Sequence, residues 1–246
     1  MYQERSFIGR GVPYIGPYGG GAKKRDVGNA SALKIGFEED KKTLPNYRSG
    51  GGGVANSQSI VSAMTCSLTL TDFDEENLAM ATFGAASAVA AGAVTDESHT
   101  AYHDGLIRLD NLPDTSTIVV TDGTGVTTYV LDTDYTVNAA GIMPLSTGAM
   151  VDGAATLIDY TKLAGNVVQA LTQSSQEFSL TLVGLNDAQS GKPVVVDLHR
   201  VKFSPAGELG FITDEFGAIE VTGEVLADSN ITGAGLSQFM KIEQAA

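Results

Sequence analysis

The chain has no tryptophan, one cysteine and three histidines in 246 residues. The lone thiol, Cys66, excludes an internal disulfide, so folding does not call for an oxidising compartment. Cys66 sits in an alternating strand pattern and reads as a small buried hydrophobe. Charge is scarce as well: Asp, Glu, Lys and Arg together make up 18%. What charge there is leans acidic, with a net of −14. Such a chain repels nucleic acid at long range and suits an anionic membrane surface poorly. Long hydrophobic runs are missing too. The apolar stretch AASAVAAGAV (Ala85 to Val94) falls far short of a bilayer span. The N-terminus, MYQERSFIGRGVPYIG, carries Glu4 and no apolar core, so it does not read as a signal peptide. The expectation is a soluble chain made in the cytoplasm and not exported by a cleavable signal.

What is present is glycine, 29 residues of it, with valine and threonine in short runs. Hydrophobic residues are 43% and mean hydropathy is +0.05, ordinary for a globular chain. The length allows one large all-β domain or two smaller ones, each with its own core. The composition predicts a mostly-β fold with many turns.

Charge is unevenly placed along the chain. Residues 1–53 hold nine Lys/Arg against five acids, a net of +4, which leaves −18 on the rest. Residues 1–26 read as an N-terminal arm, because GRGVPYIGPYGGG (Gly9 to Gly21) has too few contiguous apolar residues for a core element. Tyr14 and Tyr18 would be its aromatic handles. SALKIGFEED (Ser31 to Asp40) alternates Leu33, Ile35 and Phe37 with polar or small residues, a half-buried strand. Lys41 to Ser59 is polar and glycine-rich, and reads as a long loop. Ser59 to Phe73 is a long strand with Ile60, Met64, Cys66, Leu68 and Leu70 on one face. DFDEENLAMATFG (Asp72 to Gly84) is the best helix, with Asp72 as N-cap, Glu75 as its reciprocal partner and Gly84 as the terminating glycine.

Residues 96–165 differ in composition, with ten Asp/Glu against two Lys/Arg, and read as an inserted β-domain. TIVVTDGTGVTTYV (Thr117 to Val130) has the signature of a hairpin, and DYTVNAAGIMPL (Asp134 to Leu145) that of a second turning near Ala140-Gly141. ATLIDYT (Ala155 to Thr161) closes the set. Strands follow at Glu177 to Leu185, Pro193 to Phe203 and Gly217 to Asp228, with SQFMKIE as a short terminal strand. Apolar parity slips near His199-Arg200, which predicts a bulge. The main domain is thus expected over 27–95 and 166–246.

No motif here carries catalysis. The run Gly50 to Gly53 is not followed by Lys-Ser or Lys-Thr, and a strand rather than a helix comes next, so it does not match a phosphate loop. His99 and His103 are four residues apart, which suits zinc only on a helix and with a third ligand. Asp132, Asp134 and Asn138 resemble half a calcium loop without its glycine and terminal glutamate. No Gly-x-Ser-x-Gly occurs, and Cys66 has no evident His partner. No enzyme activity, metal or cofactor is expected.

Three segments nonetheless resemble a known family. VGNASALKIGFEEDKKTLPNYRSGGGG, SLTLTDFDEENLAMATFG and VKFSPAGELGFITDEFGAIEVTGEVLAD are similar to major tail tube proteins of long-tailed, non-contractile (siphovirus-like) bacteriophages. The resemblance spans roughly residues 27–92 and 166–246, and rests on the order of elements rather than on a short motif. It implies a tail-tube-type β-sandwich with one flanking α-helix, six copies of which join strands into a ring barrel, with rings stacked as the conduit for DNA ejection. Lys41 to Ser59 would be the stacking loop, through Lys41, Lys42, Asn46, Tyr47, Arg48, Gly50, Gly51, Gly52 and Gly53. The arm would lie across a neighbour through Tyr14, Tyr18, Lys23, Lys24 and Arg25. The insertion resembles the small immunoglobulin-like β-domains that decorate some phage tails. The implied partners are further copies of the chain, a tape measure protein, a tail terminator and a distal tail protein. Double-stranded DNA would pass through without specific binding, and the chain would reside in the virion tail after assembly in the bacterial cytoplasm. Two other readings stay open: the inner tube of a contractile tail or secretion-type machine, and a β-sandwich adhesin. The adhesin would use Tyr102, Tyr129, Tyr135 and Tyr160 in place of tryptophan.

Overall fold

The computed structural model describes residues 5–19, 23–48, 50–174 and 176–245. Among these, the chain is mostly β. Its first elements are β1 (Gly9–Pro17), β2 (Arg25–Asp26), β3 (Ala30–Pro45), β4 (Val54–Leu70) and the helix α1 (Glu75–Thr82). Short strands follow: β5 (Ala85–Val89), β6 (Gly92–Thr100), β7 (Ile107–Arg108), β8 (Val119–Asp122), β9 (Tyr135–Asn138), β10 (Gly141–Pro144), β11 (Ala155–Lys162) and β12 (Gly165–Gln169). The chain ends with β13 (Glu177–Asn186), β14 (Lys192–Phe203), β15 (Ile219–Val225) and β16 (Met240–Gln244). It divides into two compact units, Met1–Ala86 with Val168–Ala246, and Ser87–Val167. The boundaries thus fall inside β5 and β12, which pair with each other where the chain leaves and returns. The sequence reading places them at 95 and 166.

The larger unit is one sheet ordered β2-β1-β13-β14-β15-β4-β3, with β16 also on β14. Alternation sets its core. Met64, Cys66, Leu68 and Leu70 of β4 and Ile219, Val221 and Val225 of β15 are buried together with Leu180, Leu198, Val201 and Phe203. Met80 and Ala81 of α1 belong to the same cluster. The bulge read at His199-Arg200 is present: Leu180 pairs with Leu198 but Phe178 with Val201, so β14 holds one extra residue there. It separates two partners along β14, with β16 opposite Val194–Leu198 and β15 opposite Val201–Phe203.

Three expectations are corrected here. Of residues 1–26, read as an arm, Gly9–Pro17 forms β1, paired over nine residues with β13 of its own chain, with Ile15 only 2% exposed, while residues 1–4 and 20–22 lie outside the described residues. Glycine at position 11 lets the two strands approach closely: a side chain there would meet the Gly184 backbone at 2.5 Å. The loop expected over 41–59 is mostly hairpin, since β3 and β4 pair out to Pro45 and Val54. The turn is confined to the described residues between those two strands, and Ser49 lies outside the described residues.

The third correction is the helix cap. Asp74, not Asp72, is the N-cap, and its carboxylate accepts from the Asn77 backbone N–H at 2.6 Å. Glu75 is the first helical residue, too early to reciprocate. Asp72 instead accepts from the Asn29 N–H at 2.9 Å. Gly28, at φ +80°, makes room: a β-carbon there would stand 2.1 Å from the Asp72 carboxylate. At the other end Phe83 takes the left-handed conformation (φ 50°) one residue before Gly84.

The smaller unit has two three-stranded sheets, β7-β10-β9 and β6-β11-β8. Leu109, Val120, Ile142 and Ile158 are fully buried at its centre with Tyr135 and Tyr160. The Asp122 carboxylate closes the first hairpin turn by accepting from the N–H groups of Thr124 and Val126 and the Thr124 hydroxyl. Those bonds pull its pKa below the usual carboxylate range. The second turn is closed by the Asn138 side chain, which accepts from Ala140 and Gly141.

Candidate functional site

The most distinctive surface is built by β3 and β4 beyond the core. From Phe37 to Pro45 on one strand and Val54 to Ser62 on the other, every residue is exposed. This leaves a two-stranded ribbon about 30 Å long with both faces bare. Large apolar side chains stand on it: Phe37, Leu44, Val54, Ile60 and Val61 are each more than half exposed. β3 is also the last strand of the sheet order, so its second edge has no partner strand among the described residues. From Lys41 to Thr71 there is no acidic residue, and Lys41, Lys42 and Arg48 make the outer ribbon basic.

The tip carries the glycine run. The Asn46 N–H donates to the Gly53 carbonyl at 2.8 Å, and the Asn46 side chain accepts from the Arg48 N–H at 2.9 Å. Gly52 and Gly53 have φ of +68° and +103°. The run therefore serves a backbone reversal at the end of a hairpin, a task glycine performs without strain. Tyr47 is exposed beside it.

Most of the second group of sequence-predicted residues makes contacts within the chain. Tyr14 pairs in β1 with Thr181 and with Asp26 of β2. The Tyr18 hydroxyl donates to Asp228 at 2.8 Å, and Arg200 lies over its ring at 5.1 Å. Arg200 in turn grips Glu177 with two hydrogen bonds, at 2.8 and 2.6 Å, which hold the Glu177 pKa down. The Lys24 ammonium donates to the Thr181 hydroxyl at 2.5 Å. Arg25 donates to Asn77 at 2.7 Å and pairs with Glu76 at 2.6 Å, with Asp74 at 3.7 Å. Lys23 lines a cavity of about 390 Å³ beside Arg25, Met80 and Phe83. The side chains of Tyr18, Lys24 and Arg25 thus bind within their own unit, while Lys23 is exposed.

The histidines are engaged separately. His99 lies on β6, its ring 2.7 Å from Glu97, while the ring of His103 is 2.7 Å from the Met150 carbonyl. Glu97 also accepts from the Tyr160 hydroxyl at 2.5 Å and the Asp110 N–H at 2.9 Å. Burial pushes the Glu97 pKa up, but these bonds and the neighbouring His99 outweigh it, and the net shift is downward. Asp134 accepts from the Val130 and Ala149 N–H groups, both at 2.7 Å, which lower its pKa. Among the described residues no three His, Cys, Asp or Glu converge in a metal-holding group. Tyr135 and Tyr160 are 3% exposed, which removes them as stacking platforms and leaves Tyr102 as the well-exposed member of that set.

Sequence reading missed one surface. The connection from Phe203 to Ile219 presents Phe211, Ile212 and Phe216 at 74%, 99% and 101% exposure. The signal was there to find: FITDEF puts three large apolar residues beside two acids in a stretch read only as a link between strands.

A mostly-β chain of two units, one carrying a bare ribbon with a basic outer end, defines the class in structural terms. The chain matches over residues 6–243 a family described as Protein of unknown function UCP028589, and it belongs to that family. No curated protein matches it.

Proposed function

We propose that the chain is a structural subunit that polymerises as stacked, hexameric rings into the tail tube of a non-contractile bacteriophage, with Ser87–Val167 as an accessory β-domain on the tube exterior. The observation that carries this reading is the β3–β4 ribbon. A two-stranded hairpin exposed on both faces is marginal in water on its own. This one adds an open sixteen-residue edge strand and five exposed apolar side chains. Natural proteins blunt or cover such edges, and closing strands of several copies into one barrel covers them all. A repeated head-to-tail contact then extends rings into a filament. The net charge of −14 suits a conduit through which DNA slides without being held.

Electron microscopy of the purified chain, with light scattering on the same sample, tests the proposal. Rings or hollow tubes of uniform width are the expected result. A species that stays monomeric at high concentration, with and without a tail-initiating complex, overturns it.

A further inference from the structure

Both ends of β4 carry exposed apolar surfaces, and they are opposite in charge. At one end the ribbon exposes Leu44, Tyr47 and Val54 with Lys41, Lys42 and Arg48. At the other end, Ile219 pairs with Leu70, and the loop leading into it exposes Phe211, Ile212 and Phe216 with Glu208, Asp214 and Glu215. No Lys or Arg occurs between Lys202 and Lys241. The loop is held in place from below. The Phe211 ring meets Phe73 edge-on at 6.5 Å, Leu209 packs against the core, and the Thr213 hydroxyl donates to the Glu215 carbonyl at 2.6 Å. Ile212 and Phe216 are thereby offered to solvent by a fixed scaffold, which lowers the ordering cost of binding.

Resting on the tube reading above, we infer that this acidic, apolar loop is the dock for the basic ribbon tip of a second copy of the chain. The two surfaces cannot meet within one subunit. β4 runs from Val54 to Leu70, so they stand about 50 Å apart along it. Two complementary patches at opposite ends of one molecule make a heterologous contact, which repeats along an axis instead of closing as a dimer. Apolar residues at the centre exclude water, and the flanking charges set polarity, since ribbon on ribbon or loop on loop would bring like charges together.

The test is zero-length carbodiimide cross-linking of an equal mixture of ¹⁴N- and ¹⁵N-labelled full-length chains, read by mass spectrometry. The expected product joins Lys41 or Lys42 of one isotope to Asp214 or Glu215 of the other. Charge reversal supplies the second arm. Lys41→Glu/Lys42→Glu, and separately Asp214→Lys/Glu215→Lys, should each weaken self-association at least about tenfold, and the two combined in one chain should restore most of it. All four positions are exposed, so the variants are expected to fold, which circular dichroism checks. Tubes that form normally from the single reversals, or cross-links that join ribbon to ribbon, overturn the docking while leaving the tube reading intact. Absence of any self-association by the wild-type chain, with and without a tail-initiating complex, overturns both.

Discussion

Asn77 is fully buried, yet its amide is completely used. Its Nδ2 donates to the carbonyls of Val27 and Asp72 at 2.9 and 3.0 Å, and its Oδ1 accepts from Arg25. One side chain thereby ties α1 to the segments on either side of β3 and β4. Asn77→Ala leaves two carbonyls and a guanidinium without this partner, and should cost about 2–4 kcal/mol in urea unfolding. Cys66 illustrates the opposite case, a polar atom with nothing to do. It is 1% exposed, and burial pushes its thiol up to about 12. A thiol reagent at pH 8 should therefore leave the folded chain unmodified and label it only on unfolding; rapid labelling of native protein would contradict the packing. Glu97 gives a pH prediction. Its folded pKa is depressed from 4.5, so its contribution is present above that value and is lost as pH falls through the folded pKa. Glu97→Gln should flatten the acid limb of stability for the smaller unit, measured by thermal melts between about pH 3 and 6.

At the scale of elements, β1 and the ribbon make opposite predictions although both come from glycine- or polar-rich sequence. β1 carries Ile15 into the core, so Ile15→Ala should lose about 2–4 kcal/mol. An arm bound only to a neighbour would show no loss in the monomer. The ribbon contributes no core residue. Replacing residues 39–61 with a two-residue turn should change monomer stability by about 1 kcal/mol or less and abolish assembly. Tubes built from that truncated chain would remove the ribbon from the assembly mechanism. The difference between the two elements was not legible in sequence. Alternation marks Met64 to Leu70 and Ile219 to Val225 clearly, because one face of each is buried. The outer ribbon has no buried face, so no period-2 pattern is imposed on it, and a paired strand there looks like a loop. The helix cap was displaced by two residues for a related reason. Asp72 and Asp74 are equally good caps in sequence, and only the approach of Asn29 commits the first of them elsewhere.

At the scale of the whole molecule, each unit has its own core, with Leu68 and Phe203 in one and Leu109 and Ile158 in the other. A chain with residues 87–167 replaced by a short linker should therefore keep the larger unit folded, and the intact chain should show two calorimetric transitions. A single transition that disappears with the excision would mean that the units are one cooperative body. By itself the sequence determined the mostly-β class, the inserted acidic segment, the bulge in β14 and the burial of Cys66. Each is a matter of local composition or of the two-residue period, both of which are written into neighbouring residues. Tertiary structure alone decided that residues 9–17 are a core strand, that the glycine run caps a ribbon, and that Phe211, Ile212 and Phe216 face solvent. Those outcomes depend on which distant segment supplies hydrogen bonds and cover, and strand pairing between residues as far apart as Gly9 and Asn186 leaves no mark in either neighbourhood.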